Sequence, residues 1–440
     1  AMKLTTTGAD NTAVGRRALC TNTTGAGNVA VGCGSLLANT TGAANVAVGC
    51  NALKANTTAG SNTAVGKDSL CVNQTGGFLV AVGQSALRNN TGSDNTAVGA
   101  DAMFANSSGA DNTAIGKFAM NCNTTGGYGV AIGCGALAAN TTGNGNVAVG
   151  EGALRANTVN GSNTAVGTFS LCSNTTAANN TSVGYSALKV SSTGDNNTAV
   201  GNLALDANTT ASNNTGVGCG ALGANTTGTN NVAVGMSALL ANTTGTGNTA
   251  VGFSSLLAVN GAGTDNSAVG CGALCRVTTG DGNVGMGYAA GNNVTTGNDN
   301  TILGRDAGRS SSPFNVTTES NRIVLGNNDV TNFYAKVALT VTSDLRDKTN
   351  FGKVPHGLDF VNQLEPVSFQ FRKSREDDTP HGAMHYGFKA QDILALEGSD
   401  NVIIDDEQPD RLKYKGEHLV PVLVNAIQEL TKRIKDLEDK

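Results

Sequence analysis

A five-residue phrase, Asn-Thr/Val-Ala-Val-Gly, returns every seventeen residues from Asn11 to Gly304, and few folds accommodate such a period. There are 18 copies, with one interval of 16 (Leu79 to Asn95) and one of 18 (Asn248 to Asn266). Position five is Gly in all of them, position four is Val, Ile, Met or Leu, and position one is Asn in 16. Positions eight and nine are Ala/Ser then Leu/Met in the first sixteen copies, and a turn-like Asn-Thr-Thr-Gly commonly comes next, as at 39–42. The period is too short for a helical hairpin, and Gly, Asn and Thr at this density disfavour helix. Strands of four or five residues joined by Gly and Asn turns fit better. Each copy is then one coil of a solenoid, its strand stacked about 4.8 Å from the next, so that the array runs on the order of 85 Å.

Stacking in register turns each repeat position into a ladder. Asn at position one should form an amide ladder of the kind that stabilises stacked β-structure. Within a strand, side chains alternate faces. Thr/Val at position two and the aliphatic at position four share one face, which we expect to form the dry interior. Ala at position three points the other way, and a file of small residues there suggests a close-packed contact between subunits. These repeats resemble the left-handed β-roll heads of trimeric autotransporter adhesins and related viral and phage fibres, although the period is longer. The resemblance implies a trimeric β-roll over residues 1–304.

Composition separates this shaft from the C-terminal region. The first 342 residues carry 14 Lys/Arg and 14 Asp/Glu, whereas the last 98 carry 14 and 19 and so the whole net charge of −5. All six prolines lie at or after Pro313. No basic stripe interleaves with aromatics, which excludes nucleic acid as the expected partner. The first 15 residues lack an apolar signal core and nowhere do 18 apolar residues run together, so no membrane segment is expected. The ten cysteines fall at repeat positions six, ten or eleven, without Cys-x-x-Cys spacing or nearby His. Neither a metal nor another cofactor is expected, and the cysteines read as small buried thiols suited to a reducing cytoplasm. Cys33 and Cys50, at the same position of adjacent coils, have a spacing compatible with a bridge. Asp94, Asp111, Asp265 and Asp299 sit just ahead of the Asn ladder, where turn propensity accounts for them. No paired carboxylates suggest a glycosidase.

The period fails after Gly304. Residues 305–342 read as a transition: a serine-rich loop with Pro313, a last degenerate strand at 321–326, and a strand at 333–341. Then come Ser343, Asp344, Leu345, Arg346, Asp347 and Lys348. Beyond them we expect a short helix at 357–364, a strand at 366–372, a polar loop at 376–381, a strand passing into helix over 386–394, and strands at 401–404 and 411–414. Leu423, Ile427, Leu430, Ile434 and Leu437 are spaced 4, 3, 4, 3, a heptad seam on a terminal helix that tolerates Pro421 in its first turn.

Four motifs in order are similar to the intramolecular chaperone of endosialidase family. They are Ser343-Asp344-x-Arg346-x-Lys348; Leu364-x-Pro366-Val367-x-Phe369; His385-x-Gly387-Phe388-x-Ala390-Gln391-Asp392; and Leu419-x-Pro421-x-Leu423-Val424-x-Ala426-Ile427. The resemblance implies a trimeric α+β domain at 343–440, ending in a coiled-coil helix, that registers three chains and releases itself by autoproteolysis. It also assigns Ser343 as nucleophile, Lys348 as its base and the Ser343–Asp344 junction as the cut, with Asp344, Arg346 and His385 supporting the loop. The chemistry is consistent: a lysine five residues on reaches back across a turn, and desolvation and the neighbouring cation Arg346 both favour its neutral amine. Such an activity is a single turnover on the chain itself.

The whole reads as a homotrimeric viral or phage fibre or tail spike, made in the host cytoplasm and carried on the virion, whose partners are its own copies and a host-surface glycan or protein. A bacterial surface adhesin or carbohydrate-binding module, and a polysaccharide depolymerase on a rod scaffold, are the alternatives.

Overall fold

The computed structural model describes residues 1–309, 314–336, 343–372, 377–399, 401–407 and 409–439. The chain divides into two compact units, residues 1–309 with 316–325 and residues 310–315 with 326–440.

The first unit is a β-solenoid. Its strands are three residues long, from β1 (Thr12–Val14) to β18 (Thr301–Leu303), one in each of the 18 repeats, and β19 (Ile323–Leu325) adds a last rung where the degenerate strand was expected. Every strand pairs parallel with the next in strict register, Thr12 opposite Val29 and Thr301 opposite Ile323. The strands are shorter than expected because the glycine at position five leaves the extended region, with φ +134° at Gly116. A Cβ at Gly116 would also lie 2.5 Å from the carbonyl oxygen of Gly133 in the next coil. Backbone angle and close approach together admit only glycine there.

The position-one ladder forms as expected. In one rung, Asn28 Nδ2 and the Asn28 amide both donate to Asn11 Oδ1, at 3.1 and 2.9 Å, and Nδ2 also donates to Gly42 O at 2.9 Å. Each side chain therefore donates and accepts at once, which Asn can do and Asp cannot. A second ladder stands where the sequence suggested only a turn. At position twelve, Asn39 Nδ2 donates to Asn22 Oδ1 and Asn56 Nδ2 to Asn39 Oδ1, at 2.9 and 2.8 Å, while each also donates to the carbonyl three residues on. Both ladders are buried.

The strand faces are the reverse of those expected. Ala at position three points inward and is fully buried, as at Ala30, Ala148 and Ala250, whereas Val48, Ile115, Val200 and Val251 at position four keep 36–40% of their surface exposed. The reason lies at position nine. Leu19, Leu36 and their equivalents turn into the lumen from a left-handed backbone, φ 49° and 47°, and fill it. A Cβ added at Gly216, a position-three residue, would meet Leu205 at 3.3 Å, so one leucine faces one position-three side chain of the following coil. A lumen this narrow has room for Ala but not for a second branched residue. A left-handed residue costs about 1 kcal/mol, and burying a leucine returns roughly 2 kcal/mol, so the strained corner is sustained by what it buries. The one serine in the position-three file, Ser182, is matched within the lumen by Ser170, Oγ to Oγ at 2.7 Å.

The Ala file is therefore not a surface, and the contact expected on it is excluded. The cysteines also differ from expectation. All ten are free and only Cys172 is buried; Cys33, Cys50, Cys134, Cys219 and Cys271 are exposed because position six leads outward from the glycine corner, and Cys122, at position eleven, is exposed as well.

In the second unit, α1 (Leu358–Val361) precedes β20 (Val367–Arg372), which pairs antiparallel with β21 (Pro380–Gly387). Helix α2 (Ala390–Glu397), the short pair β22 (Ile404–Asp405) and β23 (Lys413–Tyr414), and α3 (Leu419–Glu438) complete it. Phe360, Ile393, Ile403, Ile404, Leu419 and Val422 form its core. Of the strand expected at 333–341, residues 333–336 are not extended into a sheet and 337–341 lie outside the described residues. Pro380 and His381, expected in a loop, begin β21. No helix among the described residues is long and apolar enough to cross a membrane.

Replacing a ladder amide by its acid should be costly. Asn225 Nδ2 donates to Asn208 Oδ1 and Gly228 O, while its Oδ1 accepts from Asn242. Asn225→Asp turns that donor into a third acceptor in a buried site, and calorimetry should show a loss of about 3 kcal/mol or more. The same change at exposed Asn230 should fall within about 0.5 kcal/mol of the parent chain.

Candidate functional site

The candidate site is built within six residues. Asp344 caps a single 3-10 turn, Leu345–Asp347: its Oδ1 accepts the Arg346 amide at 2.8 Å. The Lys348 amide closes the turn on Leu345 O at 3.3 Å. The chain thereby doubles back, and Lys348 Nζ donates to Ser343 Oγ at 2.5 Å. The five-residue spacing thus brings together the two residues proposed from sequence as nucleophile and base. Both are exposed in the single chain.

Asp344 and Arg346 pair with each other rather than with the Ser–Lys couple. Arg346 Nη2 meets Asp344 Oδ2 at 2.6 Å and Nε meets both carboxylate oxygens at 3.1 and 3.2 Å. The guanidinium, followed by the backbone amide, holds the Asp344 carboxyl below the usual range, and Asp344 in turn raises Arg346. The charge of Arg346 is met by this carboxylate, so the pair shapes the turn. His385 sits on β21 opposite Phe369, its ring 5.7 Å from that of Phe369 and 5.3 Å from that of Phe371. Its ring contacts are those of a packed side chain.

Three side chains that sequence reasoning passed over hold the surrounding unit together. The carboxylate of Glu397, at the end of α2, is buried and accepts the amides of Val402, Ile403 and Ile404 at 2.8, 2.7 and 3.0 Å. Glu429 and Asn425 of α3 reach the start of α1, Glu429 Oε2 accepting the Leu358 amide and Asn425 Nδ2 donating to His356 O, both at 2.8 Å. The signal for the second pair was present: Val422, Asn425, Ala426 and Glu429 make a second face on the terminal helix. That face packs inward, through buried Val422 and Ala426. The heptad residues Leu423, Ile427, Leu430, Ile434 and Leu437 lie on the other side and keep 38–70% of their surface exposed.

Residues 343–402 match the family model for the chaperone of endosialidase. The matched segment begins at Ser343, after the solenoid. The last of the four motifs seen in the sequence, at 419–427, falls beyond the matched segment. The chain matches none of the curated proteins and none of the solved structures compared with it.

This geometry makes two outcomes measurable. Glu397→Gln keeps the side chain's size but removes its charge from three amides, and should destabilise the chaperone unit by about 2 kcal/mol in urea titrations of the full chain. Asp344 keeps its charge until pH falls through its depressed value, so the turn should hold across neutral and mildly acidic pH and loosen only below the ordinary carboxylate range. Titration of the Arg346 amide by NMR reads this directly.

Proposed function

We propose that the chain is a homotrimeric fibre or tail-spike protein of a virus or phage, a β-solenoid rod for attachment to a host surface joined to a clamp that removes itself. The observation that carries this reading is the chaperone of endosialidase match, which starts at the residue whose hydroxyl Lys348 touches. The rod would be made in the host cytoplasm and carried on the virion, where it meets a surface glycan or protein.

Trimer formation is supported by two exposed apolar files in the single chain, one in each unit. The outward position-four aliphatics run the length of the solenoid, and the heptad seam runs along α3. Apolar surface of this extent, arranged in lines, marks contact with other copies. A solenoid of near-identical coils needs such a device: slippage by one whole coil exchanges each side chain for its equivalent and costs little locally. A clamp at one end sets the register for all three chains, and cutting it away makes unfolding hard to reverse.

The cut is assigned to the Ser343–Asp344 bond. Attack by Ser343 Oγ on its own carbonyl carbon would close a four-membered ring, so we place the attack between neighbouring chains. Neutral Lys348 takes the Ser343 hydroxyl proton, and Oγ adds to the Ser343 carbonyl of the neighbour. The bond to Asp344 breaks and the proton passes from Lys348 to the departing Asp344 amine. Water then hydrolyses the ester, freeing the Ser343 carboxylate of the rod and restoring the hydroxyl. An attack that crosses between chains ties the cut to trimer formation.

A denaturing gel tests this. Wild type should split after Ser343, whereas Ser343→Ala and Lys348→Ala should stay whole and sediment as trimers of the full chain; an intact wild type removes the cutting reading. Asp344→Ala should slow the cut by roughly ten- to a hundredfold, the scale of misplacing a reacting group. In trimers mixed from wild-type and tagged Ser343→Ala chains, the tagged chains should also be cut. If they stay whole while wild-type chains split, the attack does not cross between chains.

A further inference from the structure

A strictly repeating surface offers the same chemistry on every rung, so a place that binds one ligand must be a local break in the ladder. We propose that the break between Phe118 and Phe169 binds a short oligosaccharide. Repeat position seven is held by Phe118, Gly135, Gly152 and Phe169 in four successive coils. A groove of about 620 Å³ opens over them. Both phenylalanines have left-handed backbones, φ 59° and 57°, where a bulky residue is disfavoured. The repeat uses Gly34, Asn51, Asp68 and Ser85 at the same position, so the aromatic rings are a departure that folding of the coil does not require.

The groove has an open end and a covered end. The ring of Phe169 folds over Gly152, where a Cβ would lie 2.9 Å from Cδ1, whereas a Cβ at Gly135 would meet nothing within 4 Å. The clear floor is therefore Gly135, beside Phe118, which is 40% exposed and carries Lys117 Nζ at 4.8 Å from its ring centroid. Three coil spacings separate the two phenylalanine backbones along the stack, about 14 Å, and the Phe169 ring leans across one of them, leaving about 10 Å, the span of a short oligosaccharide. Small residues at Ala138 and Ala139 keep one wall low, and exposed Glu151 and Arg155 stand along the groove.

These features match the surface of a sugar. A pyranose ring presents a face of C–H groups that stacks on an aromatic ring and a rim of hydroxyls that both donate and accept. Arg155 supplies donors for that rim and Glu151 supplies acceptors. An apolar peptide would need a deep anchoring pocket, which this shallow glycine-floored groove does not offer. The inference gives the attachment reading a place and a ligand class, and rests on that reading only for the source of the sugar.

The test uses full-length protein on an array of immobilised short neutral, amino and acidic oligosaccharides, with Gly135→Asn as the decisive variant. Asn51 shows that the repeat accepts Asn at this left-handed position, so the variant fills the floor while the unfolding temperature stays that of wild type. Wild type should bind at least one sugar class, and Gly135→Asn and Phe118→Ala should each weaken that binding by about tenfold or more, the scale of losing a central anchor. No binding by wild type, or equal binding by Gly135→Asn, overturns the proposal. Intact cells separate it from the attachment reading. Cell binding unchanged in Gly135→Asn removes the groove and keeps attachment; groove-dependent array binding without binding to any of a panel of cells keeps the groove and removes attachment.

Discussion

Everything in the first unit depends on hydrogen bonds that run from one coil to the next. The strands contribute only three residues each, too few to hold a sheet by themselves. Two buried files of asparagine carry the rest, because a primary amide donates to the coil below and accepts from the coil above in the same rung. This explains why the period is kept so closely: an inserted or deleted residue moves an amide out of line with two neighbours. Where the first file is interrupted, at Leu79 and Gly129, the backbone amide still donates to the asparagine below, and above Leu79 the Asn95 side chain donates to Asn90 Oδ1 instead.

The same regularity creates the difficulty that the proposed clamp would meet. Identical rungs carry no information about which rung should face which, and a fibre of several such chains has many registers of similar energy. The chain leaves two lines of apolar side chains outward, one from the strands and one from the terminal helix. The helix separates its duties by face: Val422 and Ala426 are buried, Asn425 and Glu429 fasten the start of α1, and the heptad positions stay exposed.

Much of the candidate site was legible in the chain because it is local. Asp344 capping a turn, Arg346 pairing back to Asp344 and Lys348 returning to Ser343 all lie within six residues, a range over which turn chemistry decides geometry. The parts that escaped are those in which distant segments meet. Glu397 looks like any helix-end acid until the adjoining loop delivers three amides to it. The asparagine at position twelve looks like a turn residue until another asparagine stacks on it seventeen residues away. The grouping of His385 with the Ser343–Lys348 turn rested on the motif alone, and in the unit its ring lies among Phe369 and Phe371.

The sequence by itself determined the solenoid, its coil length, the parallel register and the first amide ladder, because a period of seventeen and an invariant glycine leave the backbone few alternatives. It also determined that the C-terminal region is a separate material, charged where the shaft is neutral. Only the tertiary structure decided which face of the strand is inside. Alternation along a strand says that Ala and Val point opposite ways but not which way. The choice fell to the leucine at position nine, whose left-handed turn fills the lumen and leaves space for little beyond the alanine.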